Sequence, residues 1–281
     1  MENTIKFLSR IIKPGLLRIR FILLKYFTKT EFVDFTCTVC GNKTTAPLSL
    51  VKGRESSSCS NCGSNRRFRS IIAVLSHELF GEIKPLPQFP HAKNIQGLGL
   101  SDSHVYSGRL EKKLKYTNTF YHKSPMLDIM NIDENQSNTV DFIITSDVLE
   151  HVPPPVERAF ENLYSLLKKG GLCILSVPYY NSGETKEHYP DLHEYKISKV
   201  RGEYILHNRT KTGVKQEFSN LRFHGGPGAT LEMRFFAKSS LLENIKKAGF
   251  TDIRLHEKSY PEFGIFIDPG EHSLVISMRK A

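Results

Sequence analysis

Four of the five cysteines in this 281-residue chain fall into two Cys-x-x-Cys pairs, Cys37/Cys40 and Cys59/Cys62, with 18 residues between the pairs. Two such knuckles about 15–20 residues apart have the spacing at which four thiolates close on one ion. Thiolate is a soft ligand, and four of them in a tetrahedron about 2.3 Å from zinc leave no position for water, so the role is structural. Gly41 and Gly63 each follow a second cysteine, where a tight knuckle favours a residue tolerant of positive φ. Structural Zn2+ on Cys37, Cys40, Cys59 and Cys62 is therefore the favoured reading, ahead of disulfides, a redox pair or iron. Cys173 sits in an apolar run and reads as core.

A small metal module is thus expected at about 31–70, ahead of a chain long enough for one medium α/β domain. Before it lies a basic amphipathic segment, 1–30, in which Pro14-Gly15 should interrupt any helix and leave a longer piece over 16–27. That piece has two readings: a helix packed on the protein's own body, or one lying on an anionic membrane surface. Lys13, Pro14, Arg18 and Arg20 break its apolar stretch, which falls short of the roughly 20 apolar residues a spanning helix needs. With no secretory signal evident, the expected location is the cytoplasm, with peripheral attachment to the inner face of the membrane if the second reading holds. The net charge of +10 suits an anionic partner and a merely soluble protein equally well. A hydrophobic content of 39% excludes global disorder.

Residues 71–91 form a joint. Ile72, Leu75 and Leu79 recur at helical spacing, predicting a helix over 70–81. Pro85, Pro87 and Pro90 then predict a rigid extended linker. From 92 to 281 the pattern alternates. Strands are expected at 92–100 (passing into a turn), 116–122, 140–149, 172–179, 251–258 and 272–280. Helices are expected at 104–114, 156–169 and 239–250. The 156–169 helix carries Ala159, Leu163, Leu166 and Leu167 as its apolar stripe and should stop at Gly170-Gly171. Repeated β-α-β units imply a parallel sheet covered on both faces. An insertion at about 179–236 breaks the rhythm. It is rich in His, Tyr, Arg and Gly.

The block from 140 to 179, with its D-V-L-E-H-V strand end, K-x-G-G helix end and V-P strand end, resembles the centre of class I S-adenosylmethionine-dependent methyltransferases, type 11-like. The wider resemblance covers roughly 92–281. A four-cysteine module ahead of such a domain is also similar to some deoxysugar C-methyltransferases and to one type of ribosomal-RNA guanine methyltransferase. The resemblance implies an α/β fold, a Rossmann-like seven-stranded methyltransferase sheet with an N-terminal zinc ribbon, and S-adenosylmethionine as cofactor. It implies cofactor contacts at a glycine-rich turn (Gly97, Gly99, Ser101, Asp102), at the acid–apolar pair Asp128-Ile129, and at the strand end Ser146, Asp147 and Val148. The turn departs from the family's D-x-G-x-G-x-G: the acid is missing, and Ser101 replaces the third glycine. At the second strand's end stands Tyr121-His122, where the family places a carboxylate, and the helix that usually follows is missing or very short.

Glu150 and His151 follow the D-V-L strand end, and His193 lies in the insertion beside His188, Asp191 and Glu194, with Arg222, His224, Glu232 and Arg234 clustered in its later part; the catalytic candidates are Glu150, His151 and His193. A packing role for His151 and a solvent-exposed network in the insertion are the competing readings. A general base is required only when the nucleophile must lose a proton. The expected acceptor is a saccharide or other small polar molecule. Two alternatives stand beside it. One is an RNA methyltransferase gripping phosphates with Arg66, Arg67 and Arg69, residues that could equally face the domain joint. The other is a non-catalytic binding protein that kept the fold.

Overall fold

The computed structural model describes residues 14–27 and 29–281; the basic segment's residues 1–13 lie outside them. Helix α1 (Pro14–Phe27) opens the described residues. It buries Leu17 and Phe21 in the core it shares with the metal module, and leaves Leu16, Ile19, Leu23, Tyr26 and Phe27 exposed. Among the described residues no helix is long and apolar enough to cross a membrane.

The four-cysteine module is a short antiparallel hairpin, β1 (Phe32–Thr36) on β2 (Lys43–Pro47), followed by α2 (Leu48–Lys52). The first knuckle is the hairpin's turn, closed by Gly41 N–H donating to the Cys37 carbonyl at 2.8 Å; the second repeats this with Gly63 and Cys59 at 2.8 Å. Both glycines sit at positive φ, 76° and 75°. Helix α3 (Arg66–Phe80) begins four residues before the apolar periodicity does, because Asn65 caps it, accepting the Phe68 N–H at 2.9 Å. Its Ile71, Ile72, Val74 and Leu75 are buried, each contributing about 1.5–3 kcal/mol.

The proline-rich joint is not an extended spacer. Leu86 and Phe89 are buried, the Leu86 N–H donates to the Thr38 carbonyl at 2.7 Å, and Phe89 packs edge-on to Phe80. Apolar residues between the prolines had a core to fill, and the joint lies down on the module. One hydrophobic cluster accordingly runs from Val39, Leu50 and Ile72 of the module into Tyr106, Phe142 and Ile174 of the sheet domain.

That domain alternates as expected: β3 (Ala92–Leu100), α4 (Ser107–Lys113), β4 (Leu114–Thr119), β5 (Val140–Ser146), α5 (Glu157–Leu166) and β6 (Leu167–Ser176). The insertion then contributes β7 (Tyr179–Tyr180), β8 (Lys186–Glu187), β9 (Glu194–Val200), β10 (Glu203–Arg209), β11 (Lys215–Phe218), β12 (Phe223–His224), β13 (Thr230–Leu231) and β14 (Arg234–Ala237). The chain closes with α6 (Lys238–Lys247), β15 (Phe250–Leu255) and β16 (Ile276–Lys280). The main sheet has the order β15-β16-β6-β5-β3-β4, with β4, β3, β5 and β6 mutually parallel and β16 antiparallel. Helix α5 buries Ala159, Phe160, Leu163 and Leu166 on one face of the sheet.

Two expectations need correction. Among the described residues the sheet has six strands, not seven: beyond β4 the edge position holds a single parallel bridge, Phe120 to Met126. A parallel crossover needs a dozen or more residues, and the five exposed residues between those two cannot supply one. The K-K-G-G run does not end α5 either. The helix stops at Leu166, and those residues form an irregularity inside β6, where its register against β5 shifts.

Candidate active site

The C-terminal tips of β3, β4 and β5 converge on a cavity of about 780 Å³. In an open parallel sheet this is where ligands bind, beside the point at which strand order reverses. Leu100 and Ser101 come from the first tip, Thr119, Phe120 and Tyr121 from the second, Asp147 and Val148 from the third; Asp128 and Ile129 line the wall between. The insertion roofs it with Tyr195 and Ile197 of β9 and with His224, Gly225, Thr230 and Leu231 of the β12–β13 hairpin. Ser101 and Asp147 hold φ of 55° and 53°. Left-handed backbone at non-glycine residues costs energy and persists where surrounding structure enforces it, commonly at functional sites.

Gly97 and Gly99 do not meet the cavity. Both lie within β3, which runs on to Leu100, so the turn begins only at Ser101. A Cβ on Gly97 would overlap the Phe142 ring, and one on Gly99 the Tyr116 hydroxyl and the Asp102 carboxylate. These glycines make room for aromatic packing across the sheet, with Tyr116 stacked on Phe142. Asp102 also turns inward. Its carboxylate accepts from the Tyr106 hydroxyl at 2.7 Å and from the Tyr116 hydroxyl, while its backbone N–H donates to Asn118 Oδ1 at 2.9 Å.

Burial pushes the Asp102 carboxyl up to about 7 from the ordinary 3.8, against the two tyrosine hydroxyls that favour its charged form. A carboxyl raised in the native state supports folding fully below the unfolded value, and that support declines as pH climbs to the native value. Asp102→Asn removes the slope. Between pH 5 and pH 8 the variant's stability relative to the parent will rise by about 2–3 kcal/mol in urea unfolding; an unchanged difference would mean Asp102 is charged throughout.

At the β5 tip the module reaches into the sheet domain. Arg54 donates to Asp147 at 2.7 and 3.2 Å and to Ser176 Oγ at 2.8 Å. Arg67 lies 3.2 Å from Asp147, donates to Ser146 Oγ, and forms a fork with Glu55 at 2.8 Å. The two guanidiniums hold the Asp147 carboxyl below its ordinary range despite its burial. Arg66 pairs with Glu271, and Arg69, fully buried, donates to Ser58 Oγ and to the Ser64 and Gly264 carbonyls. The three arginines weighed as phosphate grips are thus turned into the joint and already paired. They form no RNA-facing surface.

Across the cavity, Arg234 of β14 is fully buried and donates to the Leu149 and Val152 carbonyls at 3.0 and 2.5 Å, while the Met233 N–H donates to the Glu150 carbonyl at 2.8 Å. The base of the insertion therefore fixes the turn bearing Glu150 and His151. His151 Nδ1–H donates to the Leu231 carbonyl at 2.7 Å, and its ring meets that of His224 edge to face at 4.6 Å. His224 Nε2 contacts Glu232 at 2.5 Å, and Glu232 also takes His188 Nε2 at 2.7 Å. The Glu150 carboxylate is only 2% exposed, and neither oxygen has a hydrogen-bond partner among the described residues. Burial, with Asp147 nearby, pushes its carboxyl well up. His193 does not join this group: it is exposed and lines a separate surface hollow with His207 and Lys215. Sequence reasoning noted His224 and Glu232 only as members of a polar cluster, and it missed Arg54 altogether, which carries no motif.

The four thiols are unbridged. Their Cys37–Cys62 and Cys40–Cys59 sulfur separations are 3.8 and 3.7 Å. A tetrahedron with Zn–S of about 2.3 Å has edges of about 3.8 Å, so the donor set fits that ion.

A family model described as a methyltransferase domain matches residues 106–255. Among solved structures, the chain is similar to the 1,6-didemethyltoxoflavin-N1-methyltransferase of Burkholderia thailandensis, solved with 1,6-didemethyltoxoflavin and S-adenosylhomocysteine bound. The identity is 14%, over 74% of this chain and 76% of that one, with a TM-score of 0.41. It is also similar to the sugar N-methyltransferase KedS8 of a Streptoalloteichus species: 11% identity, 77% of this chain, 85% of that one, TM-score 0.41. No curated protein matches the chain.

Proposed function

This chain belongs to the methyltransferase-domain family, the matched segment spanning more than half of its 281 residues, and from that premise we propose that it carries the methyl group of S-adenosylmethionine to a saccharide or other small polar acceptor. The observation that carries this reading is the roofed cavity of about 780 Å³ at the strand tips, within the roughly 300–1,000 Å³ usual for small-molecule sites. When bound, S-adenosylmethionine supplies an electrophilic methyl on a sulfonium. Asp128 and Ile129 would hold the adenine end, Ser101 and Phe120 the middle, and Asp147 with Val148 the methionine end. On this reading the ribose lies beside Tyr121 and His122 of the cavity lining, so its recognition relies on neutral groups or imidazole.

Methyl transfer is an in-line displacement, and the protein's main contribution is alignment, worth about 7 kcal/mol or more at best. His151 and His224 on the cavity wall, with Tyr195 and Thr230 on the roof, offer the polar and aromatic surface a hydroxyl- or amine-bearing acceptor needs. The half-exposed Tyr195 and Ile197, 38% and 40%, are suited to covering such a molecule. The sulfur spacing of the module supports structural Zn2+ on Cys37, Cys40, Cys59 and Cys62.

The test is methyl-labelled S-adenosylmethionine incubated with the protein and, separately, monosaccharides, sugar nucleotides, small amines and RNA. Label appearing in a small polar acceptor is the expected result. Label in RNA alone, or in nothing, would overturn the acceptor reading.

A further inference from the structure

We propose that Glu150, His151 and His224 form a second metal site, distinct from the four thiolates, which takes a divalent transition-metal cation on the wall of the cavity. The three side chains come from different parts of the chain, Glu150 and His151 from the turn after β5 and His224 from β12, and each offers one ligand atom within 4.8 Å of the others. Glu150 Oε1 stands 3.8 Å from His151 Nε2 and 3.9 Å from His224 Nδ1. Those gaps are too long for hydrogen bonds. Ligands sharing one tetrahedral ion at about 2.1 Å lie about 3.4 Å apart, so both imidazoles must close on the carboxylate, and on each other from within 4.8 Å, for all three to meet one ion.

Three features distinguish the group from a chance cluster. A buried carboxyl group with no side-chain hydrogen-bond partner is costly unless something positive meets it, and among the described residues the basic side chains within 4.0 Å of it are those two. Each imidazole engages an outer partner through its other nitrogen, His151 with the Leu231 carbonyl and His224 with Glu232. Such partners fix the tautomer and leave the remaining nitrogen as a lone-pair donor, which is the usual arrangement behind metal-binding histidines. The Glu232 carboxylate is itself held by His188 at 2.7 Å, so the support extends one layer further.

Two imidazoles and one carboxylate suit zinc, cobalt, iron or manganese and leave coordination positions open. Both histidines line the cavity, so an open position would face the acceptor end and hold an acceptor oxygen or nitrogen there. That role rests on the methyl-transfer reading; the binding of the ion does not.

The test is a Co2+ titration of the full chain with its four-thiolate site filled by zinc, in the absence of cofactor and acceptor. Cobalt ranks below zinc in affinity for such sites and reports its ligands by visible absorption. One further equivalent is expected, with bands lacking thiolate charge transfer. His224→Ala, at a side chain 40% exposed, and Glu150→Gln, which keeps the side chain's volume and removes the carboxylate ligand, should each weaken it at least about 10-fold. His193→Ala should leave it unchanged. Absence of the further equivalent, or an affinity untouched by both substitutions, would overturn the site, and either result would leave cofactor binding, measured separately, unaffected.

Discussion

With zinc on the four thiolates as proposed, stripping it with a strong chelator will unfold the cysteine module and cut affinity for the cofactor product S-adenosylhomocysteine by at least about 10-fold. Structural zinc contributes an apparent 10–16 kcal/mol or so to small modules, comparable with or larger than the roughly 5–15 kcal/mol net stability of a whole domain. The module's own apolar core is small, with Phe35, Val39, Ala46, Leu50 and Val51 among its buried residues, and its hairpin has two strands. Arg54 follows α2, and Arg67 starts the helix that the second knuckle leads into, so a loosened knuckle releases both cations from Asp147. Thermal unfolding before and after chelation should show a fall of roughly 10 °C or more, mirrored by Cys40→Ser. An unchanged midpoint and unchanged affinity would show the thiolates to be dispensable.

Arg67→Ala will destabilise the chain by about 2–3 kcal/mol. Breaking a buried pair by removing one partner commonly costs about 3–5 kcal/mol, because the other charge stays behind. Here two carboxylates, Glu55 and Asp147, are left with Arg54 alone. Their side chains are 33% and 21% exposed, so water recovers part of the loss. Asp147→Asn should cost less by itself, and the double variant less than the sum. Urea unfolding of the four-member cycle should give a coupling energy of about 1 kcal/mol or more. Additivity within about 0.5 kcal/mol would mean that Arg67 and Asp147 merely lie near each other.

These two effects meet at a contact that local sequence signals could not show. Periodicity made the β-α-β rhythm legible from 92 onward, since α5 and the buried strands carry patterns with clear periods. Spacing made the thiolate cluster legible, since a metal knuckle is a local object. The missing or very short helix after the second strand was also visible, and with no crossover there the described sheet ends at β4. The glycine motif misled: Gly97 and Gly99 sit where family glycines approach a cofactor, yet here they answer to Phe142 and Tyr116 on neighbouring strands. Arg67 read as a phosphate grip or a joint residue, and Arg54 drew no reading, because nothing in their neighbourhood reveals a partner 80 or 93 residues away. His224 joins His151 only because Arg234 and Met233 pin the insertion onto the turn after β5, a long-range closure with no sequence period. His193 looked equivalent to His224 by composition and is separated from it by that same folding.

In the function proposed here, the tips of β3, β4 and β5 enclose a working cofactor site despite the substituted glycine turn. Calorimetric titration of the intact, zinc-loaded protein with S-adenosylhomocysteine tests it directly. One site per chain with a micromolar dissociation constant, weakened at least about 10-fold by Ile129→Arg in the cavity wall, is the result expected. No heat of binding at millimolar ligand, or binding indifferent to that substitution, would contradict it.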